Sequence, residues 1–168
     1  MKIPIVDEED NLIEYKEKKD LLPTDINRDA GLWVVNEFNE ILLAQRSLNK
    51  KRQPGMWTVA VAGTIEDGET YESNIIKEAE EEIGLKNIKP KFLYKTLKDE
   101  KGARRMRVIF EVKIPKDTPL KLEPMEVMDV KWFKQSEIEN LIKEKSEMFP
   151  ESFYTLYHKY ITDYANQS

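Results

Sequence analysis

Glu78, Glu81 and Glu82 stand at positions i, i+3 and i+4 of the stretch GTIEDGETYESNIIKEAEEEIGL, which runs from Gly63 to Leu85. At about 100° per residue the three carboxylates leave one side of an α-helix together. Ile75, Ile76, Ala79 and Ile83 leave the other side. Like charges at helical spacing destabilise a helix unless something neutralises them. A hard divalent cation does so, because it takes oxygen ligands and keeps waters that a phosphate can replace. The pattern therefore points to metal-assisted phosphate chemistry, and the bland alternative is a solvated acidic helix face. Gly84 with Leu85 ends the segment as a glycine C-cap would.

The flanking residues sharpen this. Gly63 lies six residues before Glu69, and Lys77 and Glu78 follow Glu69 by eight and nine. The spacing resembles the Nudix box, G-x5-E-x7-R-E-U-x-E-E-x-G-U with U aliphatic, at every specified position but one. Ala79 is a small occupant of one U position. Lys77 stands where the pattern has Arg, keeping the charge but losing the planar fork that grips a carboxylate twice. Beyond the box, ILLAQRSLNKKRQPGMW is similar to the region preceding it in isopentenyl-diphosphate isomerases and their hydrolase relatives, and EVMDVKWF to their late strand. Together the likeness covers most of residues 27–135.

The resemblance implies an α/β fold, a Nudix-type α/β/α sandwich with a mixed β-sheet. It also implies Mg2+-dependent hydrolysis of a diphosphate linkage, X–P–P–Y giving X–P and P–Y, with Mn2+ as a substitute ion. Glu78 and Glu82 would be the main metal ligands, Glu81 a ligand or general base, and the Gly63 carbonyl a further ligand. Glu69 would pair with Lys77 and hold the loop against the helix. Arg46 and Lys50 would hold the diphosphate, an assignment that suits a guanidinium fork and a flexible ammonium. Glu126, just before the late strand, is a rival base. Isomerase activity does not carry over: Ala62 and Thr64 occupy the positions of that enzyme's cysteine and histidine, and Ala103 and Arg105 those of its Glu-x-Glu metal pair. The expected substrate is a nucleoside diphosphate or a derivative of one.

Some candidates rest on residue type alone. Arg105 and Arg107 would project together from one strand face and extend the phosphate site. Trp33, Trp57, Phe92 and Tyr94 are candidates for stacking on a base, though a core position is the commoner use of each. The only histidine, His158, falls far from the acids.

The chain has 168 residues, a net charge of −5 and no cysteine. This suits one domain, argues against general nucleic-acid coating, and excludes disulfides and thiolate sites. No apolar run reaches membrane-spanning length and the N-terminus lacks a signal-peptide pattern, so a cytoplasmic protein is expected. The elements that must carry the acids follow from hydrophobic pattern. IPIV and LIEYKEKK form a hairpin within an N-terminal extension over residues 1–30. LWVVN and ILLAQRS form a second hairpin, and MWTVAVAG is a strand delivering Gly63. KFLYKTL and MRVIFEVKI are strands joined by the polar segment Lys98 to Arg105. VMDVKWF is the last strand, and Ser136 with Glu139 starts a helix that runs through Lys145. Phe149, Phe153, Tyr157, Tyr160 and Tyr164 stripe a C-terminal helix over residues 149–168. That stripe would pack on the sheet or on a second copy in a homodimer.

Overall fold

A computed structural model describes residues 1–100 and 102–165. Its organising element is the long strand β3 (Ile26–Val35). One edge of β3 pairs in parallel with β8 (Ala103–Lys113), from Ile26 opposite Arg104 to Val35 opposite Lys113. The other edge takes three antiparallel partners in turn: β1 (Lys2–Val6), β6 (Val61–Thr64) and β4 (Ile41–Arg46). Strand β2 (Leu12–Glu17) closes the N-terminal hairpin on β1, and β7 (Lys91–Glu100) pairs with β8. Strands β5 (Trp57–Val59) and β9 (Val127–Phe133) flank β4. The sheet is mixed, as expected.

Successive residues of a strand face opposite ways, and β3 uses both faces. Ala30, Leu32 and Val34 enter one core with Ile75, Ala79 and Ile83 of α1 (Tyr71–Ile83). Trp33 and Val35 enter a second core with Ile138 of α2 (Gln135–Glu144) and Phe153, Tyr157 and Tyr160 of α3 (Phe153–Asp163). A strand covered on both faces reads as a continuous apolar run rather than an alternating one, which is why AGLWVV has no polar residue. Helices on both faces make the molecule an α/β/α sandwich. None of the helices among the described residues is long and apolar enough to cross a membrane.

Four local expectations change. The polar segment from Lys98 to Arg105 is strand up to its turn: Lys98 pairs with Arg105 and Asp99 with Arg104, and salt bridges such as Arg104–Asp99 satisfy the charges. MWTVAVAG divides into β5 and β6, with β5 on β4 and β6 on β3. Helix α2 begins before Ser136, and Glu137, not Glu139, accepts the cap hydrogen bond, from the Lys134 N–H at 2.9 Å. Helix α3 starts at Phe153 rather than at 149, because Pro150 drives Phe149 into extended backbone, φ −118° and ψ 148°. Phe149 still stacks on Phe153 at 4.6 Å. Residues 166–168 of the expected helix lie outside the described residues.

Candidate active site

Two caps and an apolar stripe fix how α1 presents its polar edge. At the start, Thr70 and Ser73 exchange reciprocal side-chain hydrogen bonds, a capping box. At the end, Gly84 takes the left-handed conformation, φ 69°, and its N–H bonds the helix carbonyls. With Ile75, Ala79 and Ile83 buried, Asn74, Glu78 and Glu82, four residues apart, line up beside β6. Gly63 lies directly beneath: a Cβ there would sit 2.5 Å from Glu78 Cγ and 2.8 Å from Asn74 Oδ1. The helix can rest on this strand only because residue 63 is glycine.

Glu82 is the electrostatic centre. Burial pushes its carboxyl up to about 8, Glu78 and Glu126 push the same way, and Lys50 and Arg46 oppose. Burial likewise raises Glu78, against the pull of Lys77. Burial lowers Arg46, whose charge is favoured by Glu82 and Glu126. Glu126 reaches the site because its loop is stitched to both neighbours. Its carbonyl accepts from Ser47 N–H at 2.9 Å, and Glu123 N–H donates to the Glu82 carbonyl at 2.9 Å. Its carboxylate pairs with Lys50 Nζ at 2.5 Å.

The structure thus gathers Gly63, Glu78, Glu82, Glu126, Arg46 and Lys50 at one edge. Glu81 is exposed, and only its field reaches Glu78. Among the described residues no three acids or histidines converge into a ready-made cation cage. Arg105 does not join the acids. It lies 3.7 Å from Asp29, on which Arg107 closes with two hydrogen bonds. Asp29 and Trp33 share a parity on β3, so this trio occupies the sheet face away from α1. Trp33 and Trp57 are core, Phe92 is exposed, and His158 sits exposed on α3.

The NUDIX domain family matches residues 25–153. The chain belongs to the Nudix family. The isopentenyl-diphosphate Delta-isomerase of Salmonella heidelberg (strain SL476) is 31% identical over 137 residues, 77% of this chain and 75% of that one. Among solved structures, DR0079 from Deinococcus radiodurans has a TM-score of 0.81 at 19% identity, covering 95% of this chain and 98% of the other. The NUDIX domain of Shewanella oneidensis NrtR, complexed with ADP ribose, has a TM-score of 0.63 at 13% identity, covering 86% and 90%. At such identities the structural likeness carries the fold.

The box's one departure has a structural answer. Lys77 Nζ binds Glu69 Oε1 at 2.5 Å, and the other oxygen, Oε2, accepts from Asn74 Nδ2 at 2.8 Å and from Glu66 N–H at 2.9 Å. Asn74 Nδ2 also reaches the Thr64 carbonyl at 3.0 Å. Glu69 is still gripped twice from the helix of the Nudix box, by two side chains instead of one guanidinium. Sequence reasoning missed Asn74, although a polar residue four before Glu78, next to an isoleucine pair, was a signal.

Proposed function

We propose that the protein is a Mg2+-dependent Nudix pyrophosphohydrolase, with Mn2+ as a substitute ion, that cleaves the diphosphate linkage of a nucleoside diphosphate derivative. The observation that carries this reading is Glu82, half-buried beside two further acids and faced by Arg46 and Lys50. Oxygen donors partly shielded from solvent suit a hard cation, and the adjacent cations suit the phosphates it would bring. Glu78, Glu82 and the Gly63 carbonyl are the donors that would hold the ion, with Glu81 at the outer side. When bound, the ion supplies Lewis-acid polarisation of the phosphoryl group and activation of water.

The chain's own residues do the rest. Arg46 and Lys50 bind and orient the diphosphate. A phosphate oxygen takes the place of Glu126 as the partner of Lys50. The freed Glu126 carboxylate can then accept a proton from the attacking water, in competition with Glu81 and Glu82. Glu69, Lys77 and Asn74 keep the loop before α1 fixed, so that Gly63 and Glu78 stay in contact.

The 31% identical relative raises a second reading, isomerisation of a prenyl diphosphate. Ala62 weighs against it, since a methyl group can neither give nor take a proton. Arg105, a cation tied to Asp29, likewise cannot ligate a metal. The deciding experiment is a Mg2+ assay over nucleotides, nucleotide sugars, dinucleotides and prenyl diphosphates, with Glu82→Gln as control. Release of phosphate or a mononucleotide, lost in the variant, is expected. Formation of dimethylallyl diphosphate would overturn the hydrolase reading. Binding without turnover across the panel would make the protein a binding module on this fold.

A further inference from the structure

An α-helix leaves its last carbonyls without partners of its own, and at the end of α1 a loop supplies the donors. Lys121 N–H donates to the Ile83 carbonyl at 2.9 Å, and Glu123 N–H donates to the Glu82 carbonyl at 2.9 Å. Leu120 and Leu122 pack against the core that holds Ala79 and Ile83. Alternate residues of the segment 120–123 thus anchor it in the core and cap the helix.

The anchorage continues to Glu126. The Glu123 carbonyl accepts from Glu126 N–H and from Val127 N–H, both at 2.9 Å, closing a single turn. Pro124 is the second residue of that turn, where its fixed φ is the one required. From the other side Ser47 N–H holds the Glu126 carbonyl at 2.9 Å, and Asn49 Nδ2 lies 3.6 Å from Met125 Sδ. Main-chain hydrogen bonds therefore connect Glu82 to Glu126 through Glu123 alone.

One position decides whether the segment can come this close. A Cβ on Gly84 would lie 2.9 Å from Lys121 N, 3.0 Å from Lys121 Cβ and 3.1 Å from Lys121 O. The first of these atoms is the donor to Ile83, and a backbone atom cannot swing aside as the end of a side chain can. Gly84 also has φ 69°, so two demands coincide on it. They are separable, because Asn tolerates a left-handed backbone yet brings the same Cβ. Gly102, in the β7–β8 turn with φ 79°, meets only the first demand: a Cβ there would touch nothing within 4 Å among the described residues.

We infer that Gly84 is a positioning residue for Glu126: by admitting the Lys121 backbone to the end of α1, it sets the place of the Glu126 carboxylate beside Glu82 and Lys50. The inference rests on the hydrolase reading in giving Glu126 a part in the reaction.

The test compares Gly84→Ala, Gly84→Asn and Gly102→Ala with the parent, each as the full chain. Amide hydrogen exchange followed by NMR reads the loop's attachment without turnover. The Lys121 and Glu123 amides should exchange about tenfold or more faster in both Gly84 variants, and at the parental rate in Gly102→Ala. Parental rates in Gly84→Asn would overturn the inference, since backbone strain and not the approach of Lys121 would then be the cause. Hydrolysis of a diphosphate substrate reads the consequence. Both Gly84 variants should lower kcat about tenfold. In a Glu126→Gln background the same substitutions should cost no more than about twofold, because the group they displace is already gone. An equal fold-loss in both backgrounds would show Gly84 acting elsewhere and would overturn the positioning role. A parent without turnover on any diphosphate refutes the hydrolase reading instead, and the exchange rates still decide whether Gly84 admits the loop.

Discussion

Asn74 and Lys77 together should behave as one guanidinium, and a double-mutant cycle measures this. In Asn74→Ala the side chain loses a 2.8 Å hydrogen bond to the Glu69 carboxylate and a 3.0 Å bond to the Thr64 carbonyl. The first is worth about 1.5–3 kcal/mol and the second about 0.5–1.5 kcal/mol. Against this, Asn74 Oδ1 is buried without a partner among the described residues, and removing it returns about 1–3 kcal/mol. The net expectation is a loss of about 1–2 kcal/mol, or about 2–8 °C in Tm for a domain of this size. Hydrolysis should fall more steeply than stability, because Glu69 anchors the loop that sets Gly63 against Glu78. Lys77→Arg alone should change little, since Glu69 already has its second bond. In the Asn74→Ala background Lys77→Arg should restore the two-point grip, giving a coupling of about 1 kcal/mol. Urea unfolding and kcat/KM of the four proteins test this together. Strictly additive effects, with no recovery in the double variant, would refute the claim that two side chains share the guanidinium's task.

Gly63→Ala should fold with reduced stability and lose activity by about 100-fold, because a Cβ 2.5 Å from Glu78 Cγ must displace the catalytic edge by a sizeable fraction of an ångström; unchanged kcat would count against the placement. Lys50→Ala should raise KM for a diphosphate by about tenfold, and it should move the acidic limb of the pH–rate profile upward, since Lys50 is one of the two cations that oppose the rise of Glu82. Asp10 offers a pH test of stability remote from the acids. Burial raises its carboxyl, but hydrogen bonds from Lys95, Arg28 and Tyr71 outweigh that and hold it below the usual aspartate range. A depressed folded value means stability that is present above about pH 3.9 and lost as pH falls through the folded value. Asp10→Asn should therefore be less stable than the parent at pH 7, with the gap closing below about pH 4 in urea titrations; a gap independent of pH would refute it.

Much of this was legible because it is local. The spacing of Gly63, Glu69, Lys77, Glu78 and Glu82 encodes a strand, a loop and a helix in rigid succession, and periodicity placed the apolar stripe of α1 correctly. The grip on Glu69 was legible in part, through Lys77, and Asn74 was missed because its role depends on where the loop folds back. Glu126 and Lys50 were named separately as base and phosphate ligand; that they form a pair depends on contact across 76 positions of sequence. The strand identity of residues 98–100 and 103–105 was hidden by charge, which reads as loop until Lys98 and Arg105 are seen side by side on an edge hairpin. The start of α3 was legible after all, since Pro150 forbids a helix through Phe149, but the aromatic stripe is the louder signal.

Strand β8 alternates its allegiance: residues 106, 108 and 110 fill the layer beneath α1, while 105 and 107 look the opposite way toward Asp29. Substitution at 105 or 107 therefore disturbs the ion pairs of Asp29 without touching the apolar layer under the acidic helix. One ribbon of backbone lets its charge pairs and its apolar layer evolve at separate tempos.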